Sequence, residues 1–408
     1  MRESIAVIGS GMAGLTAAKL SQQAGHHVTV YEAQSGHGMD AHSLYLDGGL
    51  VDVPLRVMSP QAWRSVIGLA KQVGVDTYPV NTYTSCSWLD QSTWFRSTRL
   101  PLTDWPFVGS WRYLNRNTLT ITQGFWQLSK LTQQIQTQDQ QLTLGELLAK
   151  HPFDPLFWRG LVLPMLTTIC TCRESHLMAW PAKDLLALLD VIIHGDTLRR
   201  LTGGTPALVQ ALTQNLDLIA NSPVVQVKQQ DDGVLVRNER GDSCVYDRVI
   251  VATATKQLQF LDKEQFSHEL DLLQNIRFDQ GELWVHRDTR FLPKRRQDWT
   301  ALNFMMQPNL DEAMFTVWVN AVEPSLNGTE PILQTWNPLF EPKPESVILR
   351  QPLARAVVHQ GTRAAQDQLQ AMHQETNRRV FFCGSWAYPG VPLLESAVRS
   401  AMAVVRPL

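Results

Sequence analysis

Three glycines and one acid carry the clearest chemistry in this chain. Residues 5–32 read IAVIGSGMAGLTAAKLSQQAGHHVTVYE. An apolar, β-branched run meets Gly9-x-Gly11-x-x-Gly14, an alanine-rich helical stretch follows, and a second strand ends in Glu32. Gly9 permits a tight turn, Gly11 presents no Cβ to a pyrophosphate, and Gly14 lets the helix pack close to the strand. The helix start at Met12 and Ala13 offers unpaired N–H groups and a partial positive charge to phosphates. Glu32 lies 18 residues past Gly14, where a carboxylate can accept hydrogen bonds from an adenosine ribose. This combination predicts a site for an adenine dinucleotide, with a purely structural turn as the alternative. It suits FAD and NAD equally, so the motif alone does not choose between them.

The positioning elements follow from periodicity. After Glu32 and Ala33 comes a polar loop with Gly38, Met39, Asp40 and His42, then a short strand between Gly48 and Pro54. Residues 60–75 have helical spacing, and residues 82–100 alternate like a β-hairpin. Helical stretches are expected near 124–150, 153–170 and 182–194. Gly203-Gly204 opens a helix over 206–215, followed by strands at 224–228, 233–238 and 246–253. Residues 276–287 and 314–322 alternate like sheet strands, and the Pro-rich stretch 324–352 reads as loop. A buried strand over 379–384 meets a Gly/Pro turn ending at Pro392, and a closing helix starts at Leu393 and Leu394. Pro392 suits a helix start, where its missing N–H costs nothing.

Bulk properties narrow the class. A chain of 408 residues has ample core for two or three domain-sized units, and 44% apolar with 18% charged residues is an ordinary globular balance. A net charge of −2 gives no whole-chain reason to expect nucleic acid, and Lys294-Arg295-Arg296 reads as a solvated loop. The five cysteines are scattered without a C-x-x-C pair, so they read as reduced thiols of a cytosolic protein, and no metal site is expected. No apolar run approaches the ~18 residues of a membrane span.

Taken together, these segments resemble the flavin-containing amine oxidase and phytoene-desaturase superfamily. Glu32-Ala33 looks like its ribose acid, and Gly203-Gly204 like the glycine pair before a helix under the FAD. Val225 looks like the residue whose backbone binds adenine, and the strand through Ala252 like the one that returns below the cofactor. Gly384-Ser385-Trp386 with residues 394–401 resembles the closing FAD motif. The most similar subgroup is the bacterial NAD/FAD-binding oxidoreductases associated with cyclopropane-fatty-acid synthase-like enzymes, matched through 285–288, 292–296, 299–303, 318–320 and 383–386. The resemblance covers residues 3 to about 405 and implies FAD as cofactor. It also implies that the closing helix aims its N-terminus at the flavin, where negative charge develops on reduction.

Three departures stand against that pattern. Gly38-Met39-Asp40 replaces the family's GG-Arg loop, so an acid stands where a base is expected, and His42 or Arg56 is the candidate replacement cation. Ser385 replaces the acid of the closing motif. The substrate-side strand near 278–286 holds no lysine, whereas amine oxidases use one near the flavin.

The catalytic side chain is left open, with His286, Asp288 and His359 as candidate proton carriers. Residues 153–172, together with Trp105, Pro106, Phe107 and Trp111, are candidates for an apolar substrate tunnel; core packing or contact with a membrane surface are their alternatives.

The expected fold is α/β: a discontinuous Rossmann-like FAD-binding domain (1–55, 196–265 and 355–408) and a substrate domain of mixed sheet plus helices (56–195 and 266–354). The expected function is a FAD-dependent dehydrogenase or desaturase, moving hydride from a small apolar substrate (acyl, terpenoid-like or heterocyclic) to flavin. Oxygen or another acceptor would reoxidise it. The alternatives are an amine oxidase acting on a small amine or amino acid, and a non-redox flavin-binding isomerase or catalytically silent partner subunit. A cytoplasmic location, with peripheral membrane contact as an option, completes the expectation; the oligomeric state is left open.

Overall fold

A computed structural model gives the fold and describes residues 2–36, 38–39, 42–99, 106–137, 142–194 and 197–406. A five-stranded parallel sheet lies at the centre of one unit, in the order Asp217–Ile219, His27–Tyr31, Ser4–Ile8, Arg248–Val251, Val380–Phe382. Its strands are apolar runs because both faces are covered. Ile5 and Val7 pack on one side with Leu15, Ala18, Leu69, Leu208 and Val398 of four helices. Ala6 and Ile8, one residue out of step, pack on the other side with Val249 and Val251 and with Val227, Val236 and Leu369. The second face is covered by a three-stranded antiparallel sheet (Val224–Gln229, Val234–Asn238, Ser243–Tyr246) and by the helices Ser267–Leu273 and Gln360–Met372.

The other unit is built on a mixed eight-stranded sheet, in the order Val347–Ala356, Phe278–His286, Leu333–Trp336, Ala313–Trp318, Leu302–Met306, Thr84–Trp88, Thr93–Arg99, Pro106–Val108. Helices Arg116–Gln136, 155–170 and Ala182–His194 cover it through Ile121, Phe157, Leu166 and Leu189, which meet Phe95, Phe304 and Phe315. The 155–170 run carries a π-helical turn at Trp158–Val162.

Several elements differ from expectation. The stretch 324–352 contains the strand Leu333–Trp336 and the start of the edge strand Val347–Ala356. Both are held by distant pairing, and Pro352 is tolerated because an edge strand leaves one side of its backbone unpaired. The helix expected over 124–150 is two helices, Arg116–Gln136 and Leu144–Lys150, the second restarted by a Thr143/Glu146 capping box. Residues 58–75 and 266–276 pack with the parallel sheet, not with the eight-stranded one. No described helix is long and apolar enough to cross a membrane. Among the described residues no cluster of His, Cys, Asp and Glu forms a metal site.

Candidate cofactor cleft and substrate face

The turn after Ser4–Ile8 is built as the glycine spacing requires. Gly9 has φ +103°, and its N–H donates to the Tyr31 carbonyl at 2.8 Å. A Cβ on Gly14 would lie 1.9 Å from the Gly9 carbonyl oxygen, so helix and turn touch backbone to backbone. A Cβ on Gly11 would meet no atom of the described residues within 4 Å. That glycine therefore guards open space, not a protein contact. The helix Met12–Gln23 begins there with no side-chain cap, which leaves its first amides for a ligand or water.

Glu32 is buried, and its carboxylate accepts from the Ser10 N–H (2.9 Å), the Ser10 hydroxyl (2.5 Å) and the Gln34 N–H (2.9 Å). Ser10 Oγ in turn accepts from the Gly38 N–H at 2.8 Å. Ser10 thus ties the acid to the following loop, a role the sequence reading missed. The signal was a hydroxyl inside the glycine triad. Ala33 is exposed, while Val225 sits at a register shift of its strand and is 49% exposed, so its backbone lies outside the regular ladder. That strand is anchored next to the acid by the Ser222 N–H donating to the Glu32 carbonyl at 2.8 Å.

Both candidate cations lie beside the glycine turn's loop. Arg56 donates to Thr205 Oγ1 at 2.8 Å and to the carbonyl of buried Met39 at 3.1 Å. His42 stands close enough that burial and then the Arg56 charge push its pKa down. Asp40, the unexpected acid, lies outside the described residues.

At the far side of the sheet, the Ala252 N–H donates to the Ile8 carbonyl at 2.9 Å, beside the Gly9 turn. The Gly384 N–H donates to Ser400 Oγ at 3.0 Å, Ser385 opens a short 3-10 turn, and the Trp386 indole N–H donates to the Thr253 carbonyl at 3.1 Å. Pro392 precedes the helix Leu394–Val405, whose N-cap Leu393 offers no side-chain acceptor. Glu395, in its first turn, instead caps the neighbouring helix Arg64–Gln72, accepting from the Ser65 and Val66 N–H groups at 3.0 and 3.1 Å. Two uncapped 12-residue helices thus start at the carboxyl edge of one parallel sheet, the edge at which doubly wound folds bind ligands. Open space at Gly11, free helix amides, an acid on the second strand and a cation at Arg56 fit a flavin dinucleotide.

The three candidate proton carriers have other work. His286 is fully buried, its Nδ1 accepts from the Asp288 N–H at 3.2 Å, and its Nε2 is 3.0 Å from Thr335 Oγ1. Its ring packs on Phe291, and burial pushes its pKa down to about 4. Asp288 accepts from Arg290 Nε and Nη2 and from the Lys343 N–H; despite the opposing effect of burial, these bonds hold its pKa at about 2. His359 caps the helix Gln360–Met372 through Nδ1. All three are fixed by framework hydrogen bonds. The tunnel expectation also needs correction. Trp111 is 79% exposed and lines no interior wall, Trp105 lies outside the described residues, and Phe157, Val162, Leu166 and Cys170 are core.

The strand Phe278–His286 reads FDQGELWVH and carries no lysine. Val285 lies opposite Leu349 on the edge strand, and Leu283, Val285, Leu349 and Leu353 pack against Val51, Val53 and Leu55 of the segment leading to Arg56. These side chains form one apolar cluster between the eight-stranded sheet and the segment that leads to Arg56.

Residues 12–282 match the family model described as flavin containing amine oxidoreductase. The chain belongs to that family. An L-amino-acid oxidase of Siganus canaliculatus is 24% identical over 302 residues, covering 68% of this chain and 55% of the relative. The chain thus spans about half the length of that relative. Among solved structures, a redesigned putrescine oxidase aligns with TM-score 0.67 at 13% identity over 100% of this chain and 99% of the other. A fatty acid isomerase of P. acnes aligns with TM-score 0.66 at 15% identity, over 99% and 98% of the two chains. An oxidoreductase of Methanosarcina mazei aligns with TM-score 0.69 at 12% identity, over 99% and 100%. These likenesses establish the shared two-unit α/β fold.

Proposed function

We propose that this oxidoreductase removes hydride from a small apolar substrate and leaves a carbon–carbon double bond. The observation that carries the reading is the strand Phe278–His286, which holds no lysine, beside the half-buried apolar face of Leu349 and Leu353 on the edge strand. Such a face excludes water and orients a substrate by shape. Bound FAD supplies the two-electron acceptor, and oxygen or another acceptor restores it. The substrate loses one hydride and one proton from adjacent carbons, and a base or water at the edge of the site takes the proton.

In this reading Gly9, Gly11, Met12, Ala13 and Gly14 hold the pyrophosphate. Glu32, Ala33 and Val225 hold the adenosine, and Gly38, Met39, His42 and Arg56 supply the loop and cation beside it. Ala252, Gly384, Ser385, Pro392, Leu393 and Leu394 bring the second helix start to the flavin. The free amides of that helix favour negative charge.

The test is an anaerobic screen of acyl, terpenoid-like, heterocyclic and amine compounds, read as loss of the oxidised flavin absorbance. Bleaching by an apolar substrate, with a desaturated product of mass two units lower, is expected. Bleaching by amines alone, with peroxide released in air, overturns the reading in favour of an amine oxidase. Substrate conversion without net flavin reduction overturns it in favour of an isomerase.

A further inference from the structure

Arg355 is a cation with almost nothing to hold. It lies on the edge strand Val347–Ala356, where Arg350, Pro352 and Ala354 face solvent and Leu349, Gln351, Leu353 and Arg355 face inward. Its Nη1 donates to the Ile169 carbonyl at 2.6 Å. No carboxylate among the described residues pairs with it, and its Nε and Nη2 find no acceptor there. The guanidinium is deep enough that burial works against its charge, yet part of the side chain is still open.

Among the described residues its surroundings do not neutralise it. Asp279 is directly opposite in the strand register, but its carboxylate is turned to the Arg173 N–H (2.8 Å), His176 Nδ1 (2.8 Å) and the Gln280 N–H (3.0 Å). Cys170 and Cys172 are close, but burial pushes both thiols up, Cys172 to about 12, so neither is an anion at neutral pH. Arg56, which donates to Thr205 Oγ1, is near enough to repel it. A protein that buries one guanidinium within reach of another, and spends its nearest carboxylate elsewhere, leaves a place for an anion.

We propose that Arg355 binds the carboxylate of the substrate, so that the oxidised compound is an amphiphile with an apolar body and an anionic head. Arg355 is then a specificity residue. The apolar body lies along Leu349 and Leu353, inward-facing neighbours of Arg355 on the same strand. The inference rests on the proposed reading of the cleft as a substrate face. The oxyanion could in principle come from the FAD phosphates, but Arg355 stands on the substrate sheet, and Arg56 and Thr205 lie on the cofactor side.

The experiment uses the FAD-loaded full chain with decanoate and decanol as probes, followed by calorimetry and by perturbation of the flavin spectrum. Decanoate is expected to bind at least about tenfold tighter than decanol, the worth of a charge-assisted hydrogen bond. Arg355→Met should weaken decanoate by about 10- to 100-fold and leave decanol and FAD content unchanged. Arg355→Lys keeps the charge without the planar fork and should lie between the two. If the Met variant does not fold, the Lys variant against wild type gives the same comparison. Equal binding of decanoate and decanol by the wild type overturns the proposal. So does loss of FAD instead of decanoate from the variants, which would assign Arg355 to the cofactor. Failure of the oxidation reading looks different: Arg355-dependent decanoate binding would persist while no substrate bleached the flavin.

Discussion

His286 and His373 are both buried with ring nitrogens already used as acceptors. His373 Nε2 accepts from the Phe382 N–H at 3.1 Å, on the last strand of the parallel sheet, and its ring stacks on Phe382. Burial lowers both pKa values, to about 4 for His286 and about 3 for His373. Each stays neutral when folded and protonates near 6.5 when unfolded, so the unfolded chain binds more protons below that pH. Stability from each is complete above pH 6.5 and is lost as pH falls toward the folded value. Between pH 7 and pH 5 the loss is about 2 kcal/mol per histidine. Urea unfolding at the two pH values checks this, and His373→Gln should remove about half of the difference. Asp288 acts in the same direction over a lower pH range. Its pKa, about 2, lies below the unfolded value near 3.9, so its stabilisation persists to about pH 4 and is lost only below that. If Asp288 and His286 are framework residues, Asp288→Asn lowers stability by roughly 1–3 kcal/mol and leaves the flavin reduction rate within about twofold. A hundredfold fall in that rate at unchanged flavin content would return Asp288 to the catalytic list.

The elements around the cofactor cleft separate two kinds of glycine. Gly14→Ala forces a methyl against the Gly9 carbonyl backbone and should cost about 3 kcal/mol or more, with little folded protein recovered. Gly11→Ala meets no atom of the described residues, so the apo chain should unfold within about 1 kcal/mol of wild type. The same variant should weaken FAD by about tenfold or more, measured by titration of the apo chain. Unchanged FAD affinity would remove Gly11 from the cofactor surface. This unit was legible in the sequence because its signals are local: a strand, a glycine triad and an acid at fixed spacing. The strand Leu333–Trp336 was not, since four residues between prolines carry no period, and only pairing with Leu283–His286 and Thr316–Trp318 makes them sheet. Arg355 was equally hidden. On an edge strand an arginine between two alanines reads as solvent-facing, and its inward aim follows only from the register with Asp279. Ser10 was in plain view, but its partner Gly38 is brought to it only by the fold of the loop.

At the scale of the whole molecule, the two units are joined by a buried ionic cluster. Arg200 is fully buried, with Nη2 3.2 Å from Asp52 and 3.0 Å from Glu323. Asp52 also accepts from the Thr205 N–H at 2.9 Å, beside the Arg56 contact, and its carbonyl accepts from Gln334 Nε2 at 2.7 Å on the eight-stranded sheet. The Tyr78 hydroxyl is 3.2 Å from Glu323, and burial pushes its pKa up to about 12, so it donates throughout the working range. One guanidinium therefore holds the segment that leads to Arg56 against the eight-stranded sheet. Two carboxylates share that single cation, so removing it leaves both buried without compensation. Arg200→Leu should lower unfolding free energy by about 3–5 kcal/mol, the cost of breaking a buried pair from one side. Asp52→Asn/Glu323→Gln/Arg200→Leu, which removes all the charge together, should recover much of that loss. Hydrogen exchange adds the spatial test. In Arg200→Leu, protection should fall first in the amides of 49–55 and 333–336, at the joint, while the Ser4–Ile8 and Arg248–Val251 strands stay protected. A loss below about 1 kcal/mol, or a uniform fall in protection across both sheets, would mean that apolar packing, not Arg200, holds the joint.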